Sequence, residues 1–110
     1  MLPLTLQART TGTGPLIEVG GALDFETAPD FHDLLPTLAL LPGQRLVLDL
    51  EAVEFFDSSG IRALLAARDR AAVAGAELDL LAVPDHIWRV LDAVGIKDLF
   101  TPGHPPPQAS

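Results

Sequence analysis

The sequence has no cysteine and no tyrosine, one methionine and one tryptophan. Without cysteine there is no disulfide, no thiol nucleophile and no zinc–thiolate site. Three scattered histidines, His32, His86 and His104, leave little with which to hold a metal, and no cofactor is expected. Long apolar runs are missing too. None approaches the roughly 18 residues a membrane span needs, although the mean hydropathy is +0.32. The opening Met1-Leu-Pro-Leu-Thr-Leu has neither a basic region nor an extended apolar stretch, so no secretory signal is expected. Positive charge is scarce: seven Lys and Arg stand against 15 Asp and Glu, a net charge of −8. Phosphate backbones and anionic membranes repel such a chain, which argues against nucleic acid and membrane partners. At 110 residues the chain supports one domain, able to bury roughly two-thirds of its unfolded surface. A cytoplasmic domain, monomeric or weakly dimeric, with a protein or small-ligand partner is what these exclusions leave.

Composition shifts once. From Thr101 the chain reads Thr-Pro-Gly-His-Pro-Pro-Pro-Gln-Ala-Ser, which neither buries a core nor propagates a helix. The domain is therefore placed at 1–101 and a Pro-rich disordered tail at 102–110. Before the tail, hydrophobic periods alternate. Leu2, Leu4, Leu6 and Ala8 alternate with Pro3, Thr5, Gln7 and Arg9, as in an edge strand. Thr11-Gly-Thr-Gly-Pro15 supplies a turn into a second strand, Leu16–Gly20, completing an antiparallel hairpin. Thr27 is read as the N-cap of a helix with Pro29 and Asp30 in its first turn. Phe31, Leu34, Leu35 and Leu38 form its apolar face, and Pro36 should kink or split it. Arg45–Leu50 is short and nearly all apolar, which predicts a central strand buried on both faces. Ser58 or Ser59 caps the next helix, which runs toward Gly75 through Ile61, Leu64, Leu65 and Ala72. Glu77–Val83 reads as another buried strand, and Pro84-Asp85 opens a third helix that Gly95 stops. Ile96–Phe100 is a candidate last strand. The order is β-β-α-β-α-β-α: an α/β domain with a mixed sheet of four or five strands, its parallel members joined by right-handed crossovers.

Phe55-Phe-Asp-Ser-Ser-Gly-Ile61 stands between a buried strand and a helix, where open α/β sheets carry their functional loops. The free backbone N–H groups of that helix start favour a phosphate. Asp-Ser-Ser-Gly is also simply a good helix cap. A nucleophile elbow would need a glycine where Phe56 stands, no phosphate loop of the Gly-x-x-x-x-Gly-Lys type is present, and Asp24 with Asp57 has no distinctive acid–base surroundings. Phe55 and Phe56 both suit a core, yet one of them exposed beside Ser58 would be a natural contact. Trp88 beside the apolar stripe of the third helix reads as partly buried, and His86 as exposed in that helix's first turn.

The same seven residues resemble the signature loop of STAS domains, particularly bacterial anti-sigma factor antagonists. Gly21-Ala-Leu-Asp24 followed by Thr27-Ala28, Gly75–Val83, and Val90–Ile96 with Leu99-Phe100 resemble further segments of that family in the same order. The resemblance implies a STAS fold with helices packed largely on one face, and a non-enzymatic binding module controlled by phosphorylation. It implies that Ser58 is phosphorylated by a partner that is both anti-sigma factor and serine kinase. The unmodified domain would bind that partner and free a sigma factor for transcription, the phosphorylated one would let go, and a serine phosphatase would reset it. The binding surface carried over consists of Asp24, Thr27, Asp57, Ser58, Ser59, Gly60, Ile61 and Arg62, with Ser59 left as the structural member of the serine pair. Other readings keep the fold: a STAS subunit of a larger assembly, such as a stressosome or a lipid-transport ATPase complex, or a sensor of nucleotides or other small ligands. The chain departs from the family at Pro36, at Arg62 and at the Pro-rich tail, which stands where a last helix is expected.

Overall fold

A computed structural model describes residues 2–100. Strands β1 (Leu4–Thr11) and β2 (Gly14–Leu23) form the hairpin, followed by helix α1 (Ala28–Leu34) and a 3-10 turn at Leu35–Thr37. Strand β3 (Arg45–Phe56), helix α2 (Ser58–Val73), strand β4 (Glu77–Leu81) and helix α3 (Asp85–Ala93) complete the order, and a second 3-10 turn spans Lys97–Leu99. The sheet is β1-β2-β3-β4, antiparallel between β1 and β2 and parallel elsewhere. This is the mixed α/β sheet that the hydrophobic periods predict.

All three helices lie against one face. Ile17, Val19, Leu46, Leu48 and Leu50 of the strands pack into one core with Phe31 of α1, Leu64 of α2 and Ile87 and Leu91 of α3. The expectation that β3 is covered on both faces is wrong. Its alternate residues Val47 and Asp49 are only half-buried and Arg45 is exposed, because no helix crosses the second face. Asp49, inside the apolar run, marks that open side. On it the Arg45 guanidinium reaches Asp79 at 2.8 Å and Glu77 at 3.2 Å, both on β4. Strand β4 is likewise an edge rather than a buried strand, with only Leu80 fully covered.

The first helix splits at Pro36 as anticipated: the α-helix ends at Leu34 and the chain tightens into the 3-10 turn. Arg70 of α2 donates to the carbonyls of Leu35 and Leu38 at 3.2 and 2.9 Å, fixing the turn to its neighbour. Ile96–Phe100 is not a strand. Its backbone forms the 3-10 turn, and Phe100 closes the core as a plug. The 102–110 segment lies outside the described residues.

Strand β3 extends six residues past its predicted end. Its register against β2 shifts between Glu18 and Gly20 and again between Gly21 and Ala22, each shift placing an extra residue on β3. At the first irregularity the Glu51 N–H donates to the Asp49 carboxylate at 3.0 Å. The second brings Leu23 beside Phe56 as the last pair before both chains leave the sheet. That pair positions the candidate site.

Candidate functional site

Beyond Leu23 and Phe56, each chain turns on an aspartate. Asp57 has extended backbone (φ −126°, ψ −163°), and its Oδ1 accepts the Ser59 N–H at 2.8 Å. Its carbonyl accepts from Gly60 and Ile61 at 2.9 and 3.2 Å. Asp57 is therefore the cap of α2, and neither Ser58 nor Ser59 is. The cap must be the last non-helical residue, whereas both serines already lie within α2.

This frees both hydroxyls. Neither has a hydrogen-bond partner among the described residues. Ser58 is exposed at the first helical position and Ser59 is half-buried behind it. Gly60 is buried under Phe56: a Cβ built on it would lie 2.5 Å from Cδ1 and Cε1 of that ring. Its role is close packing of strand end against helix start. Ile61 is half-buried, and Arg62 is exposed and makes no ion pair with a described residue.

On the β2 side, the Asp24 Oδ1 accepts the N–H groups of Glu26 and Thr27 at 2.9 and 3.0 Å. The Thr27 hydroxyl donates to the Ala22 carbonyl at 2.7 Å and accepts the Asp24 N–H at 3.0 Å. Thr27 thus stands at the N-cap position of α1 without capping it. Its backbone is already helical (φ −97°, ψ −24°) and its hydroxyl points back to β2. The Asp24 carbonyl instead takes the Ala28 N–H at 2.8 Å. Asp24 and Thr27 form a staple that fixes the loop between them.

The phenylalanine pair divides: Phe56 is 8% exposed, in the core, and Phe55 is 49% exposed on the open side. Sequence reasoning passed over Phe25, which is 79% exposed between the two stapling residues. The available signal was an aromatic in a four-residue connection, with no periodic apolar partner. His86 is less exposed than predicted, because its Nε2 lies 3.2 Å from the Val53 carbonyl oxygen. Trp88 is half-buried against the core. Among the described residues no group of three or more His, Asp or Glu is placed to hold a metal ion.

The site thus consists of an exposed serine at the start of α2 and two Asp-closed turns at the ends of neighbouring parallel strands. A family model for the Mlab-type STAS domain matches residues 6–101. The chain belongs to the STAS domain family. Among its relatives, the anti-sigma-B factor antagonist of Staphylococcus aureus is 30% identical over 84 residues, 76% of this chain and 78% of that protein. Solved STAS structures share the fold. An anti-sigma factor antagonist from Mycobacterium paratuberculosis superposes with a TM-score of 0.73 at 22% identity, covering 96% of this chain and 89% of that one. The anti-sigma factor antagonist SpoIIAA in its unphosphorylated form gives 0.71 at 17% identity, covering 88% and 86%. Its phosphorylated form, from Bacillus, gives 0.66 at the same identity, covering 88% and 89%. None of the described helices of this STAS domain is long and apolar enough to cross a membrane.

Proposed function

We propose that this STAS domain is an anti-sigma factor antagonist whose binding to an anti-sigma factor is switched by phosphorylation of Ser58. The observation that carries the reading is the Ser58 hydroxyl: exposed, without a partner among the described residues, and next to the Asp57 cap. Its support is the family, whose relatives include named anti-sigma factor antagonists, and a structural neighbour solved in both phosphorylation states.

In this reading the domain is a binding module and the partner supplies the chemistry. A serine kinase transfers the γ-phosphoryl group of ATP to the Ser58 Oγ. The Oγ–P bond forms, the bond from phosphorus to the leaving ADP oxygen breaks, and the hydroxyl proton is lost. The product adds about 1.5 to 2 negative charges at the N-terminal end of α2, where free backbone N–H groups and the helix dipole favour an anion. The domain itself tolerates the group. An interface centred on Ser58 does not, since the dianion arrives beside Asp57 with Glu54 and Asp24 nearby. Lost packing and like-charge repulsion of several kcal/mol correspond to about a hundredfold or greater loss of affinity. A serine phosphatase hydrolyses the ester and restores the binding form.

The test is phosphorylation by the cognate anti-sigma kinase with ATP and magnesium, read by intact mass and peptide mapping. Wild type and Ser59→Ala gain one phosphate on Ser58, and Ser58→Ala gains none while still binding. Phosphate on Ser59, or on Ser58 with unchanged partner affinity, overturns the switch.

A further inference from the structure

Exposed apolar side chains outside the hydroxyl switch include Val73 at the end of α2, Leu41 before β3, and two phenylalanines at the carboxyl ends of β2 and β3. The phenylalanines stand within two residues of the Leu23–Phe56 pair that positions the switch. We propose that Phe25 and Phe55 are paired aromatic anchors at the same end of the sheet as Ser58, and that they seat in apolar pockets rimmed by basic side chains on the anti-sigma factor. The inference rests on the function proposed above and names the contacts that supply its affinity.

Topology brings the two rings to one end of the sheet. Phe55 is the direct β3 partner of Ala22, and Leu23 is paired with Phe56 in the next register position. Phe25 and Ser58 each lie two residues past that last pair, on adjacent parallel chains. The register thus brings Phe25 level with the serine and sets Phe55 three residues before it, at the same end of the sheet. Exposure here does not reflect a shortage of core, because the neighbouring Phe56 is buried with its ring against Gly60.

The backbone beneath Phe25 is held by hydrogen bonds. Asp24 and Thr27 close its loop with the four hydrogen bonds described above. None of them involves the Phe25 side chain. An aromatic on a pre-organised loop loses little freedom on docking, which is the economy of a binding hot spot. Phe25 has most of its surface still to bury and Phe55 about half.

Charge defines the rim. Asp24, Glu26, Glu54 and Asp57 lie within two residues of the rings or of Ser58, and none forms an ion pair with a described residue. Arg62 is the single cation on these segments. Pockets for the rings must therefore present lysine or arginine at their edges. A phosphate on Ser58 adds to the same acidic field at this end of the sheet, so one modification opposes both apolar seating and charge pairing.

The anti-sigma kinases encoded in the source genome are purified and titrated individually with unphosphorylated wild type, Phe25→Ala, Phe55→Ala, the double variant and Val73→Ala. Val73 is 87% exposed and far along α2, so it serves as the control. Each single phenylalanine variant weakens binding about tenfold or more, and the double variant more still. Val73→Ala stays within about twofold, and wild-type affinity falls as salt rises. Thermal unfolding of every variant is measured alongside. Should Phe55→Ala unfold, Phe25→Ala alone decides, since its ring takes no part in the loop's hydrogen bonds. A double variant, or Phe25→Ala in that case, that binds like wild type overturns the anchors and leaves the switch standing. Failure of wild type to bind any of the kinases overturns the switch and the anchors together.

Discussion

The ring of Phe56 occupies the space that a side chain on Gly60 would need. A Cβ there would stand 2.5 Å from two ring carbons, closer than any real contact of its kind. The end of β3 and the start of α2 therefore share one closely packed joint, and the exposed serine is carried by it.

Gly60→Ala is expected to destabilise the domain, even though alanine suits a helix better than glycine. Overpacking of this sort costs about 1–3 kcal/mol, against a propensity gain of about 1 kcal/mol or less. Urea unfolding should show a lower midpoint with an unchanged slope. A midpoint equal to or above wild type would mean that the ring yields freely and that the joint is loose.

Asp57→Ala removes the side chain that accepts the Ser59 N–H. A loss of about 1 kcal/mol is expected, whereas Asp57→Asn, which keeps an accepting oxygen, should retain most of the stability. Ser59→Ala should change stability by less than about 0.5 kcal/mol, the usual range for substitutions that break no named contact. Equal losses for Asp57→Ala and Ser59→Ala in denaturant titrations would return the capping role to the serine.

Thr27→Val keeps the shape of the side chain and removes its hydroxyl. The Ala22 carbonyl loses its donor and the Asp24 N–H its acceptor, an expected cost of about 1–3 kcal/mol. Hydrogen exchange should accelerate at Asp24, Glu26 and Thr27 well before it does in β3. Uniform acceleration across the domain would show that the staple supports the whole fold and not the loop alone.

Ser58→Glu should fold with wild-type thermal stability, because a carboxylate in the first turn of α2 meets the favourable end of the dipole. Binding to the anti-sigma factor should fall about tenfold or more, with part of the loss recovered at high salt. Wild-type affinity in this variant would remove charge from the mechanism.

Much of the architecture was legible because it rests on local signals. The hairpin follows from Gly12 and Gly14 between alternating runs, the split helix from Pro36, and the end of α3 from Gly95. What failed depends on packing that no local pattern encodes. The two irregularities of β3 bury Leu50, Val53 and Phe56 at intervals of three, a spacing that does not read as a strand, so the strand was ended at Leu50. Burial on both faces of β3 was inferred from an apolar run, but coverage depends on where helices pack, and only Asp49 hinted at the open side. At the site, Asp57 and Ser58 stood out as residue types. Which of Asp57, Ser58 and Ser59 caps depended on where extended backbone gives way to helix, and that boundary moved with the length of β3. Phe25 went unnoticed because exposure of a loop aromatic has no periodic signature.

Asp24 and Asp57 each spend a carboxylate oxygen on their own backbone, one at the end of β2 and one at the end of β3. For the proposed switch this has a consequence in time. With both turns clamped before any partner arrives, the exposed face has no slow rearrangement to complete when Ser58 gains or loses its phosphate. The delay between signal and response is then set by the turnover of the enzymes acting on Ser58 and by the dissociation rate of the complex, and the domain contributes no lag of its own.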